Sequence, residues 1–445
     1  MHISDNEEKK IKREHVIAFL ILSLIYKIAM EYAYVFYLNC NNKVWYPIDI
    51  NPLKCIYGTI WVGILFAGIP HFRKKASTFL LDFFYIFQII PIAVVYGVKN
   101  ESTLYFTYVC GAVLICEIII RIFQPISVGQ IYMRINWWWI MGAGLLVFFI
   151  VYRLLKNGLP TLKALNIYNV YELRSSDIYQ LNKYASYLQD TIIKVIIPIL
   201  LSKYLVEKRY VKSMIVFALE LIIYLYAGEK SFLFVGIMVI GVVGWSMRKN
   251  FHKNFWACFL SASIVSCFGV NINSIIKNIY SIIYRRVMID SACNKFLYYD
   301  FFKTNPREGW AGVFPRWLII VTSNYSDMHY SYLIAAKYHD RPEMQANTGF
   351  LAEGYLRWGV LGIFVVLIVF AFCLELIDGL QERTNYSFAL GVGINFVFGL
   401  ADGHLVNTMI FGYNMVWLFF VLFYKSGTFI TIKKPFLTKI RLKYR

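Results

Sequence analysis

The side chains in this sequence best suited to chemistry are charges set beside or between long apolar runs. Arg285 and Arg286 follow Tyr284. Two adjacent guanidiniums can grip a diphosphate through several charge-assisted hydrogen bonds; the plainer alternative is anchoring to lipid phosphates. Downstream come Asp290, Tyr298, Tyr299, Asp300, Asn305, Arg307 and Trp310. Aromatics interleaved with carboxylates, amides and arginine suit a carbohydrate, whose faces are apolar and whose rims carry hydroxyls. An ordinary capping segment has the same composition. Ala227-Gly-Glu-Lys-Ser231 is a very short turn between two apolar runs. There Lys230 and a new helix N-terminus can face an anion, or Glu229 and Lys230 pair at the helix start with Ser231 as N-cap. Nucleotide binding is excluded, because the full GxxxxGK[ST] pattern and its strand are missing. Glu353 and Arg357, four apart, either pair on one helical face or act separately. Arg174, Asn347, Asp402 and His404 complete the set.

The elements that must position these groups are membrane helices. The chain has 445 residues, 59% hydrophobic, 18% aromatic and only 16% charged; mean hydropathy is +0.54. Soluble domains carry about a quarter charged residues, so the composition excludes a soluble enzyme. Runs of about 17–25 apolar residues are needed to cross a bilayer. Twelve candidates occur, at 16–38, 53–69, 78–95, 104–123, 137–155, 191–206, 211–227, 231–247, 255–270, 350–374, 386–400 and 405–424. The expected fold is therefore an all-α polytopic bundle, 1–445, with both termini on one side. Two segments break the short connections: an extracytoplasmic loop at 156–190 and a large one at 271–349, whose aromatic content suits a cap over the bundle. The first apolar run lacks a small-residue cleavage site and is expected to remain as an anchor.

The 45 Lys and Arg against 26 Asp and Glu give a net charge of +19. In a membrane protein this excess belongs on cytoplasmic loops. Lys9, Lys10, Lys12 and Arg13, then Arg73, Lys74 and Lys75, Arg121 and Arg134, Lys203, Lys208, Arg209 and Lys212, and Arg248, Lys249 and Lys253 alternate with neutral connections. The tail 425–445 is basic without an acid. Only the turn expected around 375–383 is acidic. The charge is thus read as topology, not as nucleic-acid binding. Within the apolar runs, Lys27 and Glu31 are read as an internally neutralised pair, and Glu117, Arg121 and Glu220 as snorkelling or interhelical groups. Gly349, Gly354, Gly359 and Gly362 permit close helix packing and a broken or re-entrant stretch. The eight cysteines include no CxxC pair and read as core residues. No His/Asp cluster stands at metal-ligand spacing in the outward loops.

Val170-Tyr-Glu-Leu-Arg174, Gly228-Glu-Lys-Ser231, Tyr284-Arg-Arg286, Leu297-Tyr-Tyr-Asp-Phe-Phe302 with Asn305-Pro306, and Asn347-Thr-Gly-Phe350 leading to Gly359 and Gly362 resemble, in order, the bacterial oligosaccharide repeat unit polymerases of the Wzy type. The resemblance covers about 168–362; the first four helices match in hydropathy alone. It implies a GT-C-like, metal-independent glycosyltransferase of the bacterial inner membrane, without a cofactor and with its site facing outward. Such an enzyme transfers a growing O-antigen or capsule-type glycan from undecaprenyl diphosphate to the non-reducing end of an incoming lipid-linked repeat unit. Proteins that set chain length or flip the lipid-linked unit are the implied partners. Arg285, Arg286, Arg174 and Lys230 would hold the diphosphate. Glu353 would activate the acceptor, with Asp300 and His404 as rivals, and Tyr298, Tyr299, Arg357 and Asn347 would orient sugars. A glycan ligase of the same membrane class and a flippase for the lipid-linked unit are the alternatives.

Overall fold

The computed structural model describes residues 5–71, 74–126, 137–160, 181–311, 323–325, 328–403, 405 and 408. Among them, helices are the only regular elements. Local chemistry starts several of them. The Asn51 side chain accepts from the Leu53 and Lys54 amides, with Pro52 at the first helical position, where its missing N–H costs nothing. Ser102, Asn273 and Asn385 cap their helices in the same way.

The surface identifies the solvent. Ile17, Ile21, Ile25 and Ile28 are exposed on the first helix, and Leu53, Ile56, Ile60 and Ile64 on Pro52–Gly68. Three- and four-residue spacing puts each set on one face. Apolar stripes of this length are lipid contacts, not water contacts. The Ala76–Val98 span, in contrast, is buried along its whole length at the centre of the bundle. Among the described residues, seven helices are long and apolar enough to cross a membrane, while Pro52–Gly68, Ser231–Ser246 and Tyr386–Gly399 are apolar but shorter. The protein is an α-helical, multi-pass membrane protein. The last candidate span, 405–424, and the basic tail lie almost wholly outside the described residues.

Among the described residues, basic sets from four segments meet at one end of the bundle, where His71 and His252 both face Asp82. Lys253 meets His15 at 2.7 Å, Arg121 donates to the Ala67 carbonyl, and Lys75 lies 3.2 Å from Asp378. Here the structure corrects the expected acidic turn at 375–383. Val360–Arg383 is one continuous helix, and its buried Glu375 and Asp378 face Lys75. Asp378 also accepts from the Ser77 amide and hydroxyl. The acids neutralise the basic loop, which accounts for their exception to the charge pattern.

Three further expectations are refined. The stretch 350–374 is two helices, Phe350–Trp358 and Val360–Arg383, broken at Gly359 (φ +65°). A Cβ at Gly362 would lie 1.9 Å from the Gly354 carbonyl oxygen, so the two helices cross backbone against backbone. The span placed at 191–206 begins earlier, as Tyr184–Val206. Finally, Glu229, not Ser231, occupies the N-cap position of the helix after the Gly228 turn; Gly228 supplies the left-handed residue that ends the preceding helix. Lys27 pairs with Glu31 as expected. Glu220 accepts from the Gly236 amide at 2.8 Å, and the Glu117 carboxylate fills the notch left by Gly68.

Among the described residues, four π-helical segments interrupt the helices. Those at Tyr85–Ile89 and Ile192–Ile196 are each followed by a proline, Pro91 and Pro198, at the second position of the next helix. A proline removes one amide from the ladder, and the wider π turn absorbs the mismatch. The segment at Tyr280–Ile289, ten residues long, has no proline behind it. It carries Tyr284, Arg285 and Arg286.

Candidate functional site

Residues 274–304 form one helical run after the Phe251–Phe268 helix, with the π segment Tyr280–Ile289 in its middle. Its apolar face is pinned from below. The Tyr284 hydroxyl donates to the Ser263 hydroxyl at 3.0 Å, the Tyr26 hydroxyl to the Met288 sulfur, and Tyr280 stacks edge-on against Tyr37. A π turn has more than four residues, so it rotates adjacent side chains away from α-helical register. Long π stretches are uncommon and occur often at functional sites.

Around Arg285 and Arg286 the structure assembles Asp290, Ser291, Lys295, Tyr46 and Asp402. The Tyr46 hydroxyl donates to Asp290 at 2.6 Å. Burial pushes the Asp290 carboxyl up to about 6; Asp402 pushes the same way, while Tyr46, Arg285 and Arg286 oppose it. Lys295 is buried, and its ammonium donates to the Ser291 hydroxyl at 2.6 Å and the Ser291 carbonyl at 3.2 Å. Burial lowers it to about 8, against the pull of Asp402. Asp402 retains solvent access, yet burial is the chief cause of its raised pKa. Asp402 is the solvent-facing member of this cluster. The Arg285 Nε–H is a buried donor without a partner.

The other expected site residues lie elsewhere or are otherwise engaged. Glu353 accepts from Arg357 Nε at 2.9 Å with one oxygen and from the Leu405 amide at 2.5 Å with the other. Arg357 also donates to the Gly309 and Ala311 carbonyls. This buried pair ties the Glu308–Ala311 turn to the Phe350–Trp358 helix, the arrangement of a structural clamp. Tyr298 is buried and donates to the Ala346 carbonyl. Tyr299 is buried between Tyr105 and Tyr355, at 4.9 and 4.8 Å. Neither ring lies on an open surface. Asp300 is exposed and feels Lys303, Lys99 and Lys337 rather than the arginine pair. Asn347 is exposed, and its carbonyl accepts from Asn294. Arg174, His404 and the Lys230 side chain lie outside the described residues.

Sequence reading missed three groups. Lys295 has no acid three or four residues away on either side; in an aromatic-rich segment, that isolation was the available signal. Tyr46 gave none, because its partner is 244 residues distant. Arg153, buried in the Trp137–Asn157 helix, donates to the Tyr226 carbonyl at 3.1 Å and lies 5.0 Å from the Tyr226 ring. It brings a cation to the Gly228–Glu229 turn, at the carbonyl end of the Tyr210–Ala227 helix, where the dipole favours it.

Comparison with known proteins finds no matching family model, no curated protein of similar sequence and no solved structure of similar fold.

Proposed function

We propose that the protein is a twelve-span membrane glycosyltransferase of the GT-C type: a polysaccharide polymerase that transfers a growing O-antigen or capsule-type glycan from undecaprenyl diphosphate onto the non-reducing end of an incoming lipid-linked repeat unit. The supporting observation is the Arg285–Arg286 pair, held in the ten-residue π segment beside Asp290 and the solvent-facing Asp402. Cleaving a glycosyl diphosphate puts negative charge on the leaving group, and fixed guanidiniums stabilise it without rearrangement. The acceptor hydroxyl needs a base. Both Glu353 oxygens are held in the clamp, so we assign that task to Asp290, which interacts with both arginines and whose pKa of about 6 suits a general base near neutrality.

Incubating purified protein in nanodiscs with one synthetic undecaprenyl-diphosphate-linked repeat unit tests the reading. A ladder of products supports a polymerase. Dependence on a second acceptor means a ligase, and movement of the lipid without bond formation means a flippase; either result ends the proposal.

The base assignment sets a pH dependence. The rate should rise as Asp290 loses its proton, through about pH 6, and level off above. Asp290→Asn should lower the rate throughout and flatten that limb. Stability runs the other way. A carboxyl raised from its ordinary 3.8 to about 6 binds more protons folded than unfolded, so its contribution is present below pH 3.8 and lost as pH rises through 6. An unchanged pH profile in Asp290→Asn would remove the residue from the chemistry.

The proposed site faces outward, in the bacterial inner membrane, with the basic loops and both termini cytoplasmic. A cysteine placed at exposed Asn324 should react with an impermeant reagent added outside, and one at Ser426 should not. The reverse pattern inverts the topology.

A further inference from the structure

Gln88 lies in the π segment Tyr85–Ile89 of the central Ala76–Val98 span. It is 3% exposed, and neither its amide nitrogen nor its amide oxygen has a hydrogen-bond partner. An unpaired amide in the most enclosed helix of a membrane bundle is costly, because there is no water to satisfy it. Its surroundings point to what does. The Tyr85–Ile89 segment packs against Tyr280–Ile289, the segment that carries Arg285 and its unpartnered Nε–H. One turn earlier on the same helix, Phe84 meets Phe350 at 5.7 Å. Two residues before Phe350 stands Thr348, buried to 2% exposure with its hydroxyl unpartnered. Gly349, between them, lies against the Leu400 and Ala401 carbonyls, and the Ala401 carbonyl accepts from Ser291. Orphaned groups thus lie on three separate segments that the fold brings together beside the arginine cluster: Tyr85–Ile89 packs on Tyr280–Ile289, and Gly349 and Ser291 share the Ala401 carbonyl.

We propose that Gln88 and Thr348, together with the Arg285 Nε–H, form the inner wall of a diphosphate-binding site that opens at the arginine cluster beside Asp402. The inference rests on the reading of the arginine cluster as a diphosphate site, and it adds two neutral ligands from the bundle interior. Arg285, Arg286 and Lys295 outnumber Asp290 and Asp402, so the site favours an anion. The amide and hydroxyl supply neutral donors to its oxygens where a further buried charge would be hard to hold. The two wide π turns set the side chains on these facing segments out of ordinary helical register, which an unbroken pair of α-helices would not do.

The experiment measures binding of inorganic pyrophosphate and of a polyprenyl diphosphate to nanodisc-embedded protein, for the wild type, Gln88→Leu, Thr348→Val and Gln88→Glu, alongside thermal melts without ligand. Exchanging an orphaned polar group for an apolar one of equal size leaves the fold unharmed or stabilised. Melting temperatures of the leucine and valine variants should therefore hold or rise, while affinity falls about tenfold for each lost hydrogen bond. Gln88→Glu, which puts a carboxylate against the anion, should abolish binding. Loss with both probes assigns the site to the diphosphate itself; loss with the lipid probe alone assigns it to a lipid-linked diphosphate. Unchanged affinity for both probes in Gln88→Leu and Thr348→Val overturns the inference, as does a wild type that binds neither. If Gln88→Leu fails to fold, Thr348→Val and Gln88→Glu decide. Diphosphate binding that depends on Gln88 without polymer formation would leave this site standing and dismiss the polymerase reading. A wild-type ladder with Gln88→Leu unaffected would do the opposite.

Discussion

Arg285→Lys is expected to slow polymerisation about 10²–10³-fold, with expression and melting temperature near those of the wild type. The lysine keeps the charge and loses the planar fork, including the Nε–H that is buried and unpartnered in the structure. Losing one charge-assisted hydrogen bond to a developing leaving-group charge costs about 2–4 kcal/mol, which corresponds to that rate factor. Arg286→Lys should cost less, since Arg286 is exposed on the rim. An anchoring role makes the contrary forecast, because lysine snorkels to lipid phosphates as well as arginine does. Chain-length ladders for the two lysine variants and their alanine counterparts decide between them. Near-normal ladders from Arg285→Lys would return the pair to lipid anchoring and shift the diphosphate role to Arg174, Lys230 and Lys295.

Glu353→Leu should destabilise the protein by about 3–5 kcal/mol, seen as a large fall in melting temperature in detergent. The substitution leaves the Arg357 guanidinium buried at 5% exposure without its carboxylate, and an uncompensated buried charge is far more costly than a missing pair. The Leu405 amide loses its acceptor in the same step. Replacing both partners, as Glu353→Leu with Arg357→Met, should recover much of the loss, because two well-packed apolar side chains can substitute for a buried pair. The same variants separate clamp from catalyst. If Glu353→Gln melts like the wild type and yet forms no polymer, Glu353 acts chemically and Asp290 loses its assignment. A lowered melt with activity retained in the folded fraction leaves Glu353 in the clamp.

Much of the architecture was legible in the order of residues alone, since the signals involved are local. A run of about twenty apolar residues spans a bilayer whatever its neighbours do, and the basic sets mark one end of the bundle regardless of helix order. Lys27 with Glu31, and Glu353 with Arg357, are one helical turn apart, so each could be seen as a candidate pair before any packing was known. The glycines from Gly349 to Gly362 carried the break at Gly359. Spacing could not decide whether Glu353 was bound or free for chemistry. That depended on the Leu405 amide, 52 residues away, taking its second oxygen.

Only tertiary structure decided which charges share a site. Asp290 and Tyr46 are 244 residues apart, Lys75 and the acids it neutralises about 300 apart, and the π turn that holds Gln88 packs against the arginine segment nearly 200 residues on. Tyr298 and Tyr299 looked like a sugar platform by composition, and packing made them interior. The physical reason is the same in each case. Hydropathy and helical period are properties of a residue and its near neighbours, whereas being paired, orphaned or enclosed depends on what the fold brings to the other side.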